Sequence, residues 1–553
     1  MYMPISSEVF AQVIGKYFPK GVPPSVIALS GGVDSMCLAY LLSQHKKLYQ
    51  PDMSISAMTI DHAYRIDSEK EATAVGDLVS KWGLTHNIKR LHYETTNVIK
   101  STKFEEIARQ KRYQELKQYC NENHVRNIFV AHNLNDQFET YLYRLLGEST
   151  ILGLRSLKPI SLIPVEPETP TEVTPYIIRP LLEFSKSEII DTCKSNGIRW
   201  FEDPTNKDTN LTIRNKLRYY ISEYVPQNIQ KDPSLEVLST SNLKSTIDKI
   251  SELDDYIKRQ AIKLENQLIS ENRLEFLEDE CKMKIIFTYE EFESNSTPVL
   301  SRLLYGNIYP VASTVEYHWK YARLERAAVP KFKKLFDDLR NSDTLNTLVE
   351  NMTFLNILFT VTVDDISSRI MIELRRAPVA NNMLEHVAKT FSSKDQWGNW
   401  FLWDNRYWMK IKVDESENQV ISSITITPFV KKLHLKILQS KFYDFGASDG
   451  ARLGQDPMII VKYKNSITGE LDYDICVPKK ITSNPKLRAE MELKKNIFKN
   501  IMEINDDYND EVGKISTGVY EYEQPKVHES STKFIMDNII KKAFSGEQLQ
   551  GKS

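Results

Sequence analysis

The run Ser30-Gly31-Gly32-Val33-Asp34-Ser35 stands between the apolar stretch VIAL and the helix-like MCLAYLL. A strand that stops at two glycines and restarts as a helix leaves backbone N–H groups at the helix N-terminus. Those donors and the helix dipole attract a phosphate. Gly31 and Gly32 let the backbone approach an anion closely, and Ser30 and Ser35 add hydroxyl donors. Asp34 repels phosphate unless a cation intervenes, so it reads either as a Mg²⁺ contact or as a group facing an incoming nucleophile. A bare Gly-Gly would be an ordinary turn; the serines, the aspartate and the strand–helix setting favour a ligand. The lysine of GxxxxGK[ST] is missing, so γ-phosphate hydrolysis is not implied.

Other chemistry-bearing residues follow. Asp136 and Glu139 lie three apart at the start of a predicted helix and share a face. With Asp34 they can hold Mg²⁺ against phosphate oxygens or accept a proton from an amine; a solvated acidic face is the plain alternative. His132, at a strand end beside them, can contact a phosphate or be structural. Arg109 and Arg112 are one helical turn apart and can clamp phosphate, or pair with Glu105 or Glu106. Arg214 and Arg218, at i and i+4, suggest an RNA-facing surface, with a helix packed through Asn215 as the competing reading.

These residues need a frame. Residues 26–29, 55–60, 87–92 and 127–131 read as strands, with helices starting near Ser35, Ser68, Phe104 and Asp136, the alternation of an α/β domain with a parallel sheet. Phe10, Val13, Ile14 and Tyr17 have helical spacing, so the chain start reads as a first helix, although Lys16 and Lys20 also give it a weak presequence-like pattern. The Pro-, Glu- and Thr-rich stretch 164–175 reads as an exposed loop. Length sets about three domains for 553 residues. We expect a catalytic unit over 1–225, a mainly helical middle over 226–350 and a mixed α+β unit over 351–553 with a charged tail from Asn505. Net charge is −2, from 72 basic and 74 acidic side chains, so a nucleic-acid surface must be local. No run of about 18 apolar residues exists to cross a membrane. The five cysteines form no CxxC pair, which disfavours a disulfide framework or zinc ribbon and fits a reducing compartment.

SGGxDS in this setting resembles the PP-loop ATP pyrophosphatases, and the residues that follow resemble the tRNA(Ile)-lysidine synthetases among them. Asp61-His62-Ala63-Tyr64-Arg65 with Ser68 and Glu71-Ala72 is similar to their DHxxR…S…EA element. Glu106-Ile107-Ala108-Arg109 with Arg112-Tyr113 and Leu116 is similar to ExARxxRYxxL. The run from Ala131 to Thr140 resembles AHHxDDQxET; Arg179-Pro180-Leu181-Leu182 with Lys186 and Glu188-Ile189 matches RPLLxxxKxEI. Glu202-Asp203-Pro204-Thr205-Asn206 with Arg214-Asn215 and Arg218 matches the closing element. The five elements occur in the family's order across nearly all of 25–220.

The resemblance implies a Rossmann-like, adenine nucleotide alpha hydrolase-like α/β domain that binds ATP through residues 30–35, Asp61, His62 and His132. It implies Mg²⁺ at Asp34, Asp136 and Glu139, and RNA or phosphate contacts at Arg109, Arg112, Arg179, Arg214 and Arg218. The implied reaction joins free L-lysine to the wobble cytidine of tRNA(Ile) with a CAU anticodon. Two departures stand out: the family commonly has Asp where this chain has Asn135, and its glycine-rich RGSG is here Gly147-Glu148-Ser149-Thr150. They keep a non-catalytic tRNA-binding relative open. A PP-loop tRNA thiolase and an amidotransferase-type synthetase are further alternatives, weakened by the absence of CxxC and of a Cys directly after Met1.

The C-terminal half resembles the family only faintly. Trp397, Trp400, Trp403 and Trp408 fall within one short segment, which reads as a core strand pair around Asp404-Asn405 or, alternatively, as an RNA-stacking surface. Its spacing is similar to a segment of the family's accessory domain, implied to bind the tRNA acceptor region. That divergent half and the 164–175 insertion are unlike the compact bacterial members, so we expect a eukaryotic organellar member in the mitochondrion, with the cytoplasm as the alternative for a bacterial one.

Overall fold

The computed structural model describes residues 3–62, 68–91, 93, 104–202, 212–277, 281–313, 321–341, 347–392, 394–413, 419–429, 438–439, 456–477, 481–482 and 487–493. Residues 63–65 and 203–206 of the family elements, and the tail from 505, lie outside the described residues.

Alternation along short apolar strands builds the first unit. In β1 (Ser25–Ala28) Val26 faces one side of a sheet and Ile27 the other; Met58 and Ala57 do the same in β2 (Ile55–Asp61), Ile128 and Phe129 in β4 (Asn127–Phe129), and Ile177 and Ile178 in β6 (Tyr176–Ile178). With β3 (Thr85–Arg90) and β5 (Ile160–Leu162) they form a six-stranded sheet ordered β3-β2-β1-β4-β6-β5, parallel except at β5. Helices α1 (Ser7–Tyr17), α2 (Val33–Leu48), α3 (Ser68–Ser80) and α6 (Lys186–Ser195) cover one face, and α4 (Phe104–Glu122) covers the other. Phe10, Val13, Ile14 and Tyr17 are buried, so α1 is part of the folded core. The chain leaves β1 toward β2 and leaves β4 toward β6, which opens a crevice at the carboxyl ends of β1 and β4.

Beyond this sheet, α5 (Leu134–Leu146) and α7 (Ile213–Tyr219) share a core with the first half of a 31-residue helix, α8 (Thr240–Ser270). The second half of α8, through Ile257, Ala261, Leu264 and Leu268, packs into the C-terminal core. The heptad-like apolar positions therefore serve two cores in turn. No break falls at residue 350: β7 (Leu274–Leu277) and β8 (Lys282–Thr288) join β9 (Thr347–Phe354), β10 (Ile357–Asp364) and β11 (Arg369–Arg376) in one antiparallel sheet ordered β7-β8-β11-β10-β9. Long-range pairing of β8 with β11 is invisible to a reading of local character.

Tryptophans 397, 403 and 408 are buried, and Trp403 pairs with Tyr407 across a turn whose Asp404 and Asn405 are left-handed. Arg406 and Arg376, both buried, donate to the Asp404 carboxylate at 2.8 and 3.1 Å. This segment is a core hairpin, and its buried rings are closed to RNA bases. The 164–175 stretch also differs from an exposed loop, since most of its residues are half-buried. The buried Lys117 of α4 donates to the Glu166 carbonyl at 2.9 Å and sits 3.1 Å from the Glu172 carboxylate.

Candidate active site

Each of four parallel strands delivers residues at its carboxyl end. After β1, Gly31 takes φ +83°, and a Cβ there would stand 2.9 Å from Val75 Cγ2, so only glycine fits without movement. Gly32 is the N-cap of α2 and no side chain caps that turn, which leaves its first N–H groups for an anion. Ser35 shapes the loop: its Oγ accepts from Ser30 N at 3.2 Å and donates to the Gly32 carbonyl at 3.0 Å. Ser30 remains exposed, while Val33 is buried in the core behind the turn.

Asp34, in the first turn of α2, is held from two directions. Its Oδ1 accepts from Asn133 Nδ2 at 3.0 Å, and its Oδ2 accepts from Lys186 Nζ at 2.7 Å. Asn133 is the buried N-cap of α5: its Oδ1 accepts from the N–H groups of Asn135 and Asp136 at 2.9 and 3.2 Å. Asp136 completes the capping box by accepting from Asn133 N at 2.9 Å. Burial, followed by the neighbouring Glu139 charge, pushes the Asp136 carboxyl up to about 7, against the pull of the Asn133 N–H. One helical turn on, the buried Glu139 accepts a two-pronged contact from Arg218, at 2.7 Å from Nε and 2.9 Å from Nη2.

On the other side stands His132. Arg179, directly after β6 and buried, donates through Nε to His132 Nδ1 at 3.1 Å and through Nη1 to the Lys158 carbonyl at 2.8 Å. With Nδ1 accepting, the neutral ring carries its proton on Nε2 and can donate there. Burial and then the charges of Arg179, Arg109, Arg214 and Arg112 pull His132 down to about 3. Four of the five arginines chosen from sequence thus act on one imidazole. Arg109 lies over the Tyr113 ring at 5.3 Å and Arg214 over the Tyr143 ring at 5.7 Å. At the end of β2, Asp61 is buried with Arg90 Nε 4.0 Å away. His62 accepts from Arg112 Nη2 at 3.2 Å and meets the Tyr93 hydroxyl at 2.9 Å. Burial, then Arg112, hold it down at about 4.

The structure brings together Asp34, Asp136, Glu139 and His132, but not as expected in two respects. Arg218, its side chain 39% exposed, pairs with Glu139 in the acidic corner. The three carboxylates are no ready metal cage either: among the described residues no group of three or more His, Cys, Asp or Glu stands in metal-holding geometry. Lys186 and Arg218 already compensate two of them. A Mg²⁺ that arrives on phosphates needs only one or two carboxylates, a requirement Asp34 fits.

Asn133 and Lys186 escaped a functional assignment from sequence. Asn133 was detectable as the Asn-x-x-Asp cap before an apolar run, whereas Lys186 reaches Asp34 across 152 positions of sequence. Asn135 accepts from Lys186 N at 3.0 Å, a bond that an aspartate would also make. In the altered glycine-rich segment Glu148 takes φ +52°, the backbone conformation a glycine adopts freely.

Residues 6–225 match the PP-loop domain family. A protein of Schizosaccharomyces pombe named "Probable tRNA(Ile)-lysidine synthase" is 24% identical over 422 residues, spanning 76% of this chain and 84% of its own length. The tRNA(Ile)-lysidine synthase of Mycoplasma mycoides is 29% identical, over 60% of this chain and 79% of its own. That of Wolbachia pipientis is 35% identical over 33% of this chain and 39% of its own. With the glycine turn, the capped Asn133–Asp136 helix and these relatives agreeing, residues 6–225 are a PP-loop domain, in a chain similar to tRNA(Ile)-lysidine synthases.

Proposed function

We propose that this protein is the ATP-dependent ligase that joins lysine to carbon 2 of the wobble cytidine of tRNA(Ile) with a CAU anticodon, so that AUA is read as isoleucine. One arrangement carries the reading: the phosphate-binding turn and the capped carboxylate helix are tied together through Asp34, Asn133 and Lys186. The cytidine 2-oxygen attacks the α-phosphate of ATP, the bond to the bridging oxygen breaks, and pyrophosphate leaves. The N-terminus of α2 holds the phosphates, and His132 Nε2–H, fixed by Arg179, donates to the phosphate oxygens beside it. Lysine's ε-amine then loses a proton to Asp136 and attacks carbon 2, and AMP departs with the oxygen. Mg²⁺ bound at Asp34 would offset phosphate charge. The arginines around His132 suit the anionic RNA backbone.

Asn135 does not favour the non-catalytic reading, because its oxygen serves the α6 N-terminus and leaves the three carboxylates in place. All five cysteines are buried, which disfavours thiolation chemistry. Radiolabelled lysine, ATP and unmodified tRNA(Ile) transcript, incubated with the full chain, should give labelled RNA with AMP and pyrophosphate in equal amounts. ADP with orthophosphate, or ATP turnover without labelled RNA, overturns the proposal. Action in the mitochondrion is part of this proposal. Its support is that the fission-yeast relative aligns with 76% of the chain and the bacterial ones above with 33% and 60%. A C-terminally tagged full chain spread through the cytosol would refute that location.

A further inference from the structure

We propose that the Tyr143 ring, with the Arg214 guanidinium over it, is a stacking platform for the anticodon base next to the reacting cytidine. The inference rests on the function proposed above. Tyr143 lies seven positions after Asp136 and four after Glu139, on the same face of α5. It is 43% exposed, although its face is otherwise occupied by buried and paired catalytic-site groups. Two adjacent contacts join α5 to α7 with matching spacing. Arg218 grips Glu139, and four positions earlier Arg214 stands 5.7 Å from the centre of the Tyr143 ring. Both Tyr143 and Arg214 are exposed to an incoming polymer.

Distance along the helix selects the occupant. Seven residues at about 1.5 Å each put Tyr143 about 10 Å beyond Asp136. A base reacting beside Asp34 cannot also reach that ring, whereas its neighbour in a splayed single strand can. Nucleobases stack on tyrosine faces and on guanidinium planes, and a guanidinium layered on an aromatic ring presents a flat, charged surface to both base and phosphate. In a CAU anticodon the neighbour on the 3′ side is adenine, a purine with a large stacking face. The same Arg214 charge acts on His132, which places the platform at the rim of the reaction site.

The test uses the full chain and an anticodon stem–loop of tRNA(Ile) in which 2-aminopurine replaces that adenine. Binding should quench its fluorescence. Tyr143→Phe and Tyr143→Trp should keep the quenching. Tyr143→Leu, which keeps a helix-favouring apolar side chain without a π face, should lose it. Its KM for tRNA should rise about fivefold to a hundredfold, the range for one base–aromatic stack, with the KM for ATP unchanged. Arg214→Lys, which keeps the charge and loses the plane, should also weaken the quenching. Wild-type quenching and tRNA KM in both Tyr143→Leu and Arg214→Lys overturn the platform. If wild-type protein makes no lysidine yet the quenching follows the Tyr143 series, the platform stands and the proposed reaction falls.

Discussion

Replacing Asp136 with Asn separates two jobs that one carboxylate performs. Its Oδ2 accepts from Asn133 N at 2.9 Å, and an amide oxygen can accept the same bond, so the α5 cap persists. What disappears is a group that exchanges a proton near neutrality. Loss of a general base costs about 10²–10⁴ in rate, so lysine transfer in Asp136→Asn should drop by that factor. In the wild type only the ionised carboxylate accepts the amine's proton. The transfer rate should therefore rise about tenfold per pH unit until about pH 7, where Asp136 titrates, and then level off. His132 and His62, held at about 3 and about 4, stay neutral across that window and add no inflection.

The same carboxyl predicts a stability change of opposite sign. Its folded-state pKa, up to about 7, exceeds its ordinary 3.8. Between those values the folded chain holds a proton that the unfolded chain has released, so stability falls as pH rises through the window. About three pKa units at 1.36 kcal/mol each set an upper limit of about 4 kcal/mol. Asp136→Asn escapes that cost and should resist urea better than wild type at pH 8, with a smaller advantage at pH 5. Single-turnover lysine transfer from pH 5.5 to 9 and urea unfolding at both pH values read the two effects. Transfer within threefold of wild type, or an equal urea advantage at pH 5 and pH 8, would refute the reasoning.

Two further outcomes follow from the geometry. Gly31→Ala forces a Cβ to 2.9 Å from Val75 Cγ2 at φ +83°. With about 1–2 kcal/mol of left-handed strain besides, the KM for ATP should rise at least about tenfold; Val75→Ala added to it should recover only the steric part. Arg218→Ala leaves the buried Glu139 without its two-pronged partner and should cost about 3–5 kcal/mol in denaturant unfolding. Arg218→Met combined with Glu139→Gln should restore much of that, and a destabilised double variant would argue against charge burial as the cause.

Local periodicity made much of the catalytic unit legible. The strands at 26–29 and 55–60 alternate faces, and observed β1 and β2 lie within a residue of those bounds. The 127–131 strand ends earlier, at Phe129, where its parallel pairing with β6 stops at Ile178, the last residue of that strand. Phe10 to Tyr17 keeps helical spacing and packs as a helix. The glycine turn needs only its own residues and φ values, so it too could be read directly, as could the shared face of Asp136 and Glu139.

Partnership of charges was another matter. Lys186 on Asp34, separated by 152 residues, and Arg218 on Glu139, separated by 79, exist because β4 lies beside β1 and α7 packs on α5. The sheet that runs past residue 350, the imidazole tautomer set by Arg179 and the raised Asp136 carboxyl have the same origin. Residue types and spacing fixed which groups stood ready on each element. Strand order and burial decided which charges meet and how far water is kept from them, because Coulomb attraction and desolvation depend on distance in space and not on distance along the chain.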